Sequence, residues 1–323
     1  MAIYYLGMLL LLVLIELMYF KVAKYYRIVD KPNHRSSHQT LTIRGGGVVF
    51  VFAAILEFLI FGMHNPFFLC GLLLVASVSF LDDVCTLNNR VRLLVHLVAV
   101  VLLFLQLGIF NMSLSIVIIA GVLVVGTINA YNFMDGINGL TGSYSLLLIS
   151  SLYYINTYTP FISADFLIII GLSLVVFNIF NFRKQARCFA GDVGSISIAF
   201  IVIFLIGKLV LSTNNFNYIL LLTVYGLDAG TTILFRLFRH ENIFKAHRSH
   251  FYQFLANEKK IAHLLVSTSY FFIQLIINVL FLSFLENNQK LGLALLLLCA
   301  VAFLSLRFGL QGRALVQRIH RLN

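Results

Sequence analysis

The sequence predicts an all-α polytopic membrane protein of about eleven transmembrane helices. Three observations carry this prediction. Of 323 residues, 60% are hydrophobic and only 11% are charged, less than half the share of about 25% in an ordinary soluble domain. The apolar residues gather into runs that approach the roughly 20 residues needed to cross a bilayer core. The loops between those runs alternate between strongly basic and nearly charge-free. A soluble fold of this length leaves roughly a quarter of its unfolded-chain surface exposed and could not hide so much apolar surface. The same composition excludes disorder, and four Cys exclude a disulfide-built scaffold.

The runs cover residues 2–22, 48–63, 66–81, 93–109, 112–129, 140–155, 164–181, 194–212, 217–236, 262–284 and 291–307. The second and third are short and separated only by His64, Asn65 and Pro66, which reads as a helical hairpin. No internal repeat, low-complexity tract or soluble domain interrupts them, so residues 1–323 form one integral membrane domain. The first run has no basic segment before it and its positive charges follow it, which argues against a cleaved signal peptide.

One set of loops, 23–47, 82–92, 130–139, 182–193, 237–261 and 308–323, holds most of the 23 Lys and Arg together with the adjoining span ends. Only Lys208 and Lys290 fall near the other side. Excess Lys and Arg mark the cytoplasmic side, so the N-terminus is expected outside and the C-terminus inside. The net charge of +11 then records topology and not an affinity for nucleic acid.

The twelve acids are more telling than the bases. Five of them, Asp82, Asp83, Asp135, Asp192 and Asp228, stand at the basic ends of spans or just inside them. A carboxylate at a membrane edge needs a partner. Solvated helix ends or salt bridges to loop arginines would explain any one of them. Five at one depth, most of them inside polar motifs, point to a divalent metal.

Five motifs contain these residues. Asp82-Asp83 closes the third span; two adjacent like charges repel, and a metal or Arg90 and Arg92 would relieve them. Asn129, Asn132, Asp135 and Asn138 recur every third residue with Gly136 and Gly139 among them. Each step of three lags by about 60° around a helix, so the four sweep half its circumference and cluster at the end of the fifth span. Buried amides need partners, which a metal, phosphate or sugar would supply, as would other helices. Gly191-Asp192-Val-Gly194-Ser195 enters the eighth span, and a helix N-terminus with glycines suits a phosphate. Plain capping by Asp192 and Ser195 is the alternative. The loop from Arg236 to Gln253 carries His247, Arg248, His250 and Tyr252, side chains able to hold a diphosphate and a nucleotide; anionic headgroups would account for its cations but not for its paired His. Finally, Asp30 to Gly47 places Arg44 beside a triplet of glycines, either a phosphate loop or ordinary basic-side charge.

These motifs, in this order, resemble the polyprenyl-phosphate N-acetylhexosamine-1-phosphate transferase family. The resemblance covers Asp30 to Gln253, and the run Asn129–Leu140 is its most specific element. The form HRSHxYQ at His247–Gln253 is similar to the O-antigen-initiating branch; the peptidoglycan branch carries three consecutive His there. The resemblance implies transfer of a HexNAc-1-phosphate from a UDP-N-acetylhexosamine to polyprenyl (undecaprenyl) phosphate, with release of UMP, at the cytoplasmic face of a bacterial inner membrane. It implies Mg²⁺, with Mn²⁺ as a substitute, held by Asn132 and Asp192. It makes Asp82 and Asp83 the acids that activate or position the lipid phosphate, and places Asp135 and Asn138 in the nucleotide-sugar pocket. Arg248 and His250 would grip the diphosphate and sugar.

Asp82, Asp83, Asp135 and His250 are thus the expected catalytic residues. Arg44, Asn129, Asn138, His247, Arg248 and Tyr252 are the expected substrate-binding ones. A homodimer stays open, as does the sugar. Four positions depart from the family pattern: Leu41 and Ile43 replace prolines, Gly226 replaces a proline, and His96 stands where Gln is common. A transporter or lipid flippase is the competing class, but such proteins bind near the bilayer midplane, whereas here the polar motifs crowd one face.

Overall fold

The computed structural model describes residues 2–30, 41–85, 87–242, 248–286 and 288–320, with side chains of the last helix described to Gly312. Its elements are α1 (Ala2–Tyr25), β1 (Val29–Asp30), β2 (Thr42–Ile43), α2 (Val48–Ile60), α3 (Pro66–Cys85), α4 (Asn89–Leu107), α5 (Leu114–Met134) and α6 (Leu140–Tyr158), followed by α7 (Ala164–Asn181), α8 (Gly191–Thr213), α9 (Thr223–Phe238), α10 (Phe251–Gln253), α11 (His263–Leu280) and α12 (Gln289–His320). Each of the eleven predicted spans coincides with a helical segment. Among the described residues, nine are long and apolar enough to cross a membrane. The other two differ for physical reasons. α2 has 13 residues, about 20 Å at 1.5 Å per residue, short of the bilayer core. α6 carries Ser, Thr and Asn side chains that dilute its apolar run.

The bundle is built around α8. Its apolar residues run all the way round the helix, the pattern of a segment buried on every side, and its span is 83% buried. It packs against α2, α3, α5 and α6, and Phe204 stacks on Phe68 of α3 with ring centroids 4.1 Å apart. The α12 span at the rim is only 11% buried and touches chiefly α9 and the 3-10 turn before it. Without water to drive helices together, such lipid-facing apolar surface carries no penalty.

Helices on the basic side extend further than the sequence suggests. α3 runs to Cys85 and α5 to Met134, while α4 begins at Asn89 and α8 at Gly191. Charged residues end an apolar run, but they do not end a helix whose terminal groups are capped. Asn88 caps α4 by accepting from the Arg90 N–H at 2.9 Å. The acids and amides singled out above therefore stand on helix ends, which fixes their directions. A small antiparallel pair completes this face: Val29 of β1 pairs with Ile43 of β2, and Ile43 also bridges Cys188.

Candidate active site

Asp82 and Asp83 are adjacent on α3, so their side chains leave the helix about 100° apart. Each finds different partners, which removes the expected repulsion. Asp82 turns toward α4: Arg92 Nη1 lies 2.6 Å from its Oδ2, and the Leu87 N–H donates to its Oδ1 at 2.6 Å. Asp83 turns toward α8 and accepts the Asp192 and Val193 N–H groups at 3.0 and 3.1 Å. A carboxylate there satisfies orphan donors and meets the positive end of the helix. The Arg44 Nε is 2.6 Å from Asp83 Oδ1. Asp192 closes the ring, with Arg44 at 3.4 Å and Arg92 at 3.1 Å. Three carboxylates and two guanidiniums from α3, α4, α8 and the β2–α2 turn thus form one continuous network.

The glycines permit this approach. Gly191 has φ +71°, and a β-carbon on it would sit 2.6 Å from Asp83 Oδ2. Gly47 and Gly194 pack backbone on backbone, each leaving no room for a β-carbon on the other. The Gly46 and Gly47 N–H groups donate to Phe189 and Ala190 carbonyls at 2.8 and 3.2 Å. Two of the triplet's amides are thereby used within the protein, and Arg44 is the group of that motif presented to the acids.

The second cluster follows α5. Asn129 is exposed and donates back to the Val125 carbonyl at 2.9 Å. Asn132 is half-buried in the last turn. Asp135 caps the helix end. Burial pushes the Asp135 carboxyl up to about 7, the neighbouring Asp192 and Asp83 add to the rise, and Arg44 opposes it. Asp135 therefore shares an electrostatic field with the ion-pair network. Asn138 is buried and ties down a neighbouring segment, donating to the Arg183 and Lys184 carbonyls at 2.9 and 3.1 Å.

The third cluster hangs on Asp228. This buried carboxylate accepts the Phe251 N–H at 2.8 Å, the Tyr252 N–H at 3.1 Å and the Tyr270 hydroxyl at 2.7 Å. It anchors the His loop and has little capacity left for a metal. His250 is buried, with Nδ1 3.4 Å from Asp228 Oδ1, and its ring lies 5.9 Å from those of Phe133 and Tyr252. The Tyr252 hydroxyl donates to the Phe133 carbonyl at 2.8 Å. That bond fastens the His loop to the end of α5, beside Asn132. Arg248 is half-buried, and His247 lies outside the described residues.

One buried residue escaped the sequence reading. Arg307 of α12 is fully buried and donates to Thr231 and Thr232 at 2.6 and 2.9 Å and to the Ser249 carbonyl at 2.6 Å. It ties the His loop to α9 and α12 through Ser249, while Tyr252 ties it to α5. The signal was present: a lone Arg at the end of an apolar span needs partners.

Among the described residues no group of three or more His, Cys, Asp or Glu forms a ready metal cluster. Asn132 and Asp192 are nevertheless hard oxygen donors of the kind a small divalent cation takes, and the Asp135 carboxyl, raised first by burial and then by Asp192 and Asp83, would be relieved by such a cation.

Comparison with known proteins places this arrangement. The model of glycosyl transferase family 4 matches residues 65–210, which takes in α3 through most of α8 and so Asp82, Asp83, Arg92, Asp192 and the α5 cluster, but begins after Arg44 and ends before the His loop. Phospho-N-acetylmuramoyl-pentapeptide-transferase of Thermotoga maritima is 28% identical over 251 residues, 70% of this chain and 79% of that one. Undecaprenyl-phosphate alpha-N-acetylglucosaminyl 1-phosphate transferase of Yersinia pestis is 28% identical over 207 residues, 58% of this chain and 56% of that one. A protein of Bacillus subtilis named probable undecaprenyl-phosphate N-acetylglucosaminyl 1-phosphate transferase is 24% identical over 249 residues, 69% of this chain and 68% of that one.

Proposed function

We propose that the chain is a polyprenyl-phosphate N-acetylhexosamine-1-phosphate transferase, on its similarity to glycosyl transferase family 4 and to the relatives named above, and that it transfers a HexNAc-1-phosphate from a UDP-sugar to undecaprenyl phosphate. The product would begin a lipid-linked cell-surface glycan such as O-antigen, capsule or teichoic acid. The observation that carries this reading is the ring Asp82–Arg92–Asp192–Arg44–Asp83 at the basic ends of the helices. A reaction between a lipid phosphate and a cytosolic nucleotide has to occur at a membrane edge, and the basic face, read as cytoplasmic, draws both anions in.

The ring suggests how the residues act. In the structure the guanidiniums and carboxylates satisfy one another. Incoming phosphates compete for Arg44 and Arg92, and the carboxylates they release become ligands or bases. Asn132 and Asp192, with Asp135 beside them, would hold Mg²⁺, which when bound neutralises the diphosphate and favours departure of UMP. An oxygen of the lipid phosphate attacks the β-phosphorus of the UDP-sugar in line. The new O–P bond forms as the bond from the β-phosphorus to the bridging oxygen breaks, and UMP leaves with that oxygen. Asp82 and Asp83 position the lipid phosphate. Arg248 and His250, held by Asp228 and Arg307, receive the nucleotide-sugar.

The test is incubation of purified protein with Mg²⁺, undecaprenyl phosphate and a panel of UDP-HexNAc sugars, scoring UMP. Release that needs the lipid, with one sugar preferred, is expected. The absence of lipid-dependent UMP release with every sugar would refute the assignment.

A further inference from the structure

A separate hollow of about 950 Å³ opens between α1, β2 and the segment joining α7 to α8. Its walls are divided by chemistry. Leu17 and Met18 of α1 line one part, while Lys21 and Lys24 of α1, with Arg183 and Arg187, line the other. The α1 residues follow at spacings of one, three and three, which places them along one side of the helix. That side runs from apolar to basic over about 10 Å, at 1.5 Å per residue. Among the described residues no carboxylate lines the hollow, and none of the four cations forms an ion pair there.

A concave wall that is apolar toward the bilayer and fourfold cationic at its edge is complementary to an anionic amphiphile. The reacting polyprenyl phosphate fits less well than a bystander lipid, because a partition stands between this hollow and the acids. Ile43 lines the hollow, and the next residue, Arg44, pairs with Asp83. The Phe189 N–H donates to the Ile43 carbonyl at 2.8 Å and so closes that wall. Asp82, Asp83 and Asp192 are not among the lining residues.

We infer that the hollow binds an acidic glycerophospholipid of the surrounding membrane, its phosphate held by Lys21, Lys24, Arg183 and Arg187 and its chain laid along Leu17 and Met18. The bound lipid steadies the α7–α8 segment. Asn138 grips that same segment through the Arg183 and Lys184 carbonyls, so the site adjoins the candidate active site without belonging to it.

The experiment is native mass spectrometry of the purified full-length protein titrated with phosphatidylglycerol or phosphatidylcholine. Its readout is a lipid adduct, so it is independent of transferase activity. Phosphatidylglycerol is expected to bind preferentially. The Arg183→Gln/Arg187→Gln variant should lower its apparent affinity about tenfold or more, since each cation near a lipid headgroup contributes about a fivefold effect. Lys21→Gln/Lys24→Gln, on a different element, should do the same and serves if the first variant fails to fold. Lys259→Gln/Lys260→Gln removes two cations from the basic face outside the hollow and should change affinity less than twofold. An equal loss in all three variants, equal retention of phosphatidylcholine, or equal binding of glycerol 3-phosphate would overturn the inference. One-for-one displacement by undecaprenyl phosphate would overturn it too, by assigning the hollow to the reacting lipid.

Discussion

Arg44 Nε lies 2.6 Å from Asp83 Oδ1, a contact that joins the turn after β2 to the end of α3, 39 residues further along the chain. The same guanidinium reaches Asp192 at 3.4 Å, so one side chain spans two of the three carboxylates in the ring. A lysine ammonium is a point donor and does not reproduce a planar fork. Arg44→Lys is therefore expected to reduce transfer roughly 10–100-fold, the range for losing a hydrogen bond to a charged group. Lipid-dependent UMP release measures it, and activity within twofold of the native protein would show that Arg44 is dispensable.

Asp192→Ala should abolish transfer while the protein still inserts and purifies. Asp192 belongs to the ring and is the proposed metal ligand, but it lies in the first turn of α8, where other groups can satisfy the backbone. Size-exclusion behaviour separates this outcome from misfolding. Full activity in the variant would remove Asp192 from the metal site.

Asp83→Asn should affect stability as well as chemistry. It removes the charge from a side chain that accepts two N–H groups at the start of the most buried helix. Loss of such a cap costs about 1–2 kcal/mol, visible as a lower melting temperature in detergent. Asp82→Asn, whose carboxylate faces the α3–α4 turn and Arg92, should melt closer to the native protein. An inverted order would contradict the division of labour between the two acids.

Asp135 gives a pH dependence whose sign follows from its environment. Its carboxyl is pushed up to about 7, chiefly by burial and then by Asp192 and Asp83. The folded protein thus binds this proton more tightly than the unfolded chain, where the value is about 3.9. Folding is therefore favoured at low pH, and the penalty grows as pH rises from the unfolded value until it is complete above about 7. Without added metal, Asp135→Asn should melt above the native protein at pH 8, and the gap should shrink at pH 5. A gap independent of pH would exclude this origin.

Tyr252→Phe distinguishes a brace from a substrate contact. The hydroxyl of this buried residue already donates to the Phe133 carbonyl. The variant should lose about 1 kcal/mol of stability and keep its KM for the UDP-sugar within threefold. A large rise in KM with unchanged melting would make Tyr252 a direct ligand.

The membrane class, the approximate position of all eleven helical segments and the resemblance to a transferase family were legible in the chain, because apolar runs and motif order are local properties. Helix ends were less legible. Asp82, Asp83, Asn132 and Asp192 sit on helical turns that extend into the polar boundary, and the start of α8 is met by Asp83 from 109 residues away. The anchoring role of Asp228 was likewise hidden. As a sequence feature it was a fifth acid at the same depth, yet its oxygens are taken by Phe251, Tyr252 and Tyr270.

By itself the sequence determined the solvent this protein lives in and the chemistry available at one face, since hydrophobicity and charge belong to individual residues and need no partner to be read. Only the tertiary structure decided which carboxylate meets which cation. Two adjacent aspartates point about 100° apart on a helix, so Asp82 goes to Arg92 and Asp83 to Arg44 and the start of α8. Arg307 finds Ser249 across 58 residues. The local spacing offered Arg90 and Arg92 for the acid pair, but the partners of Asp83 and Arg307 depend on the crossing of helices, and no local pattern encodes them.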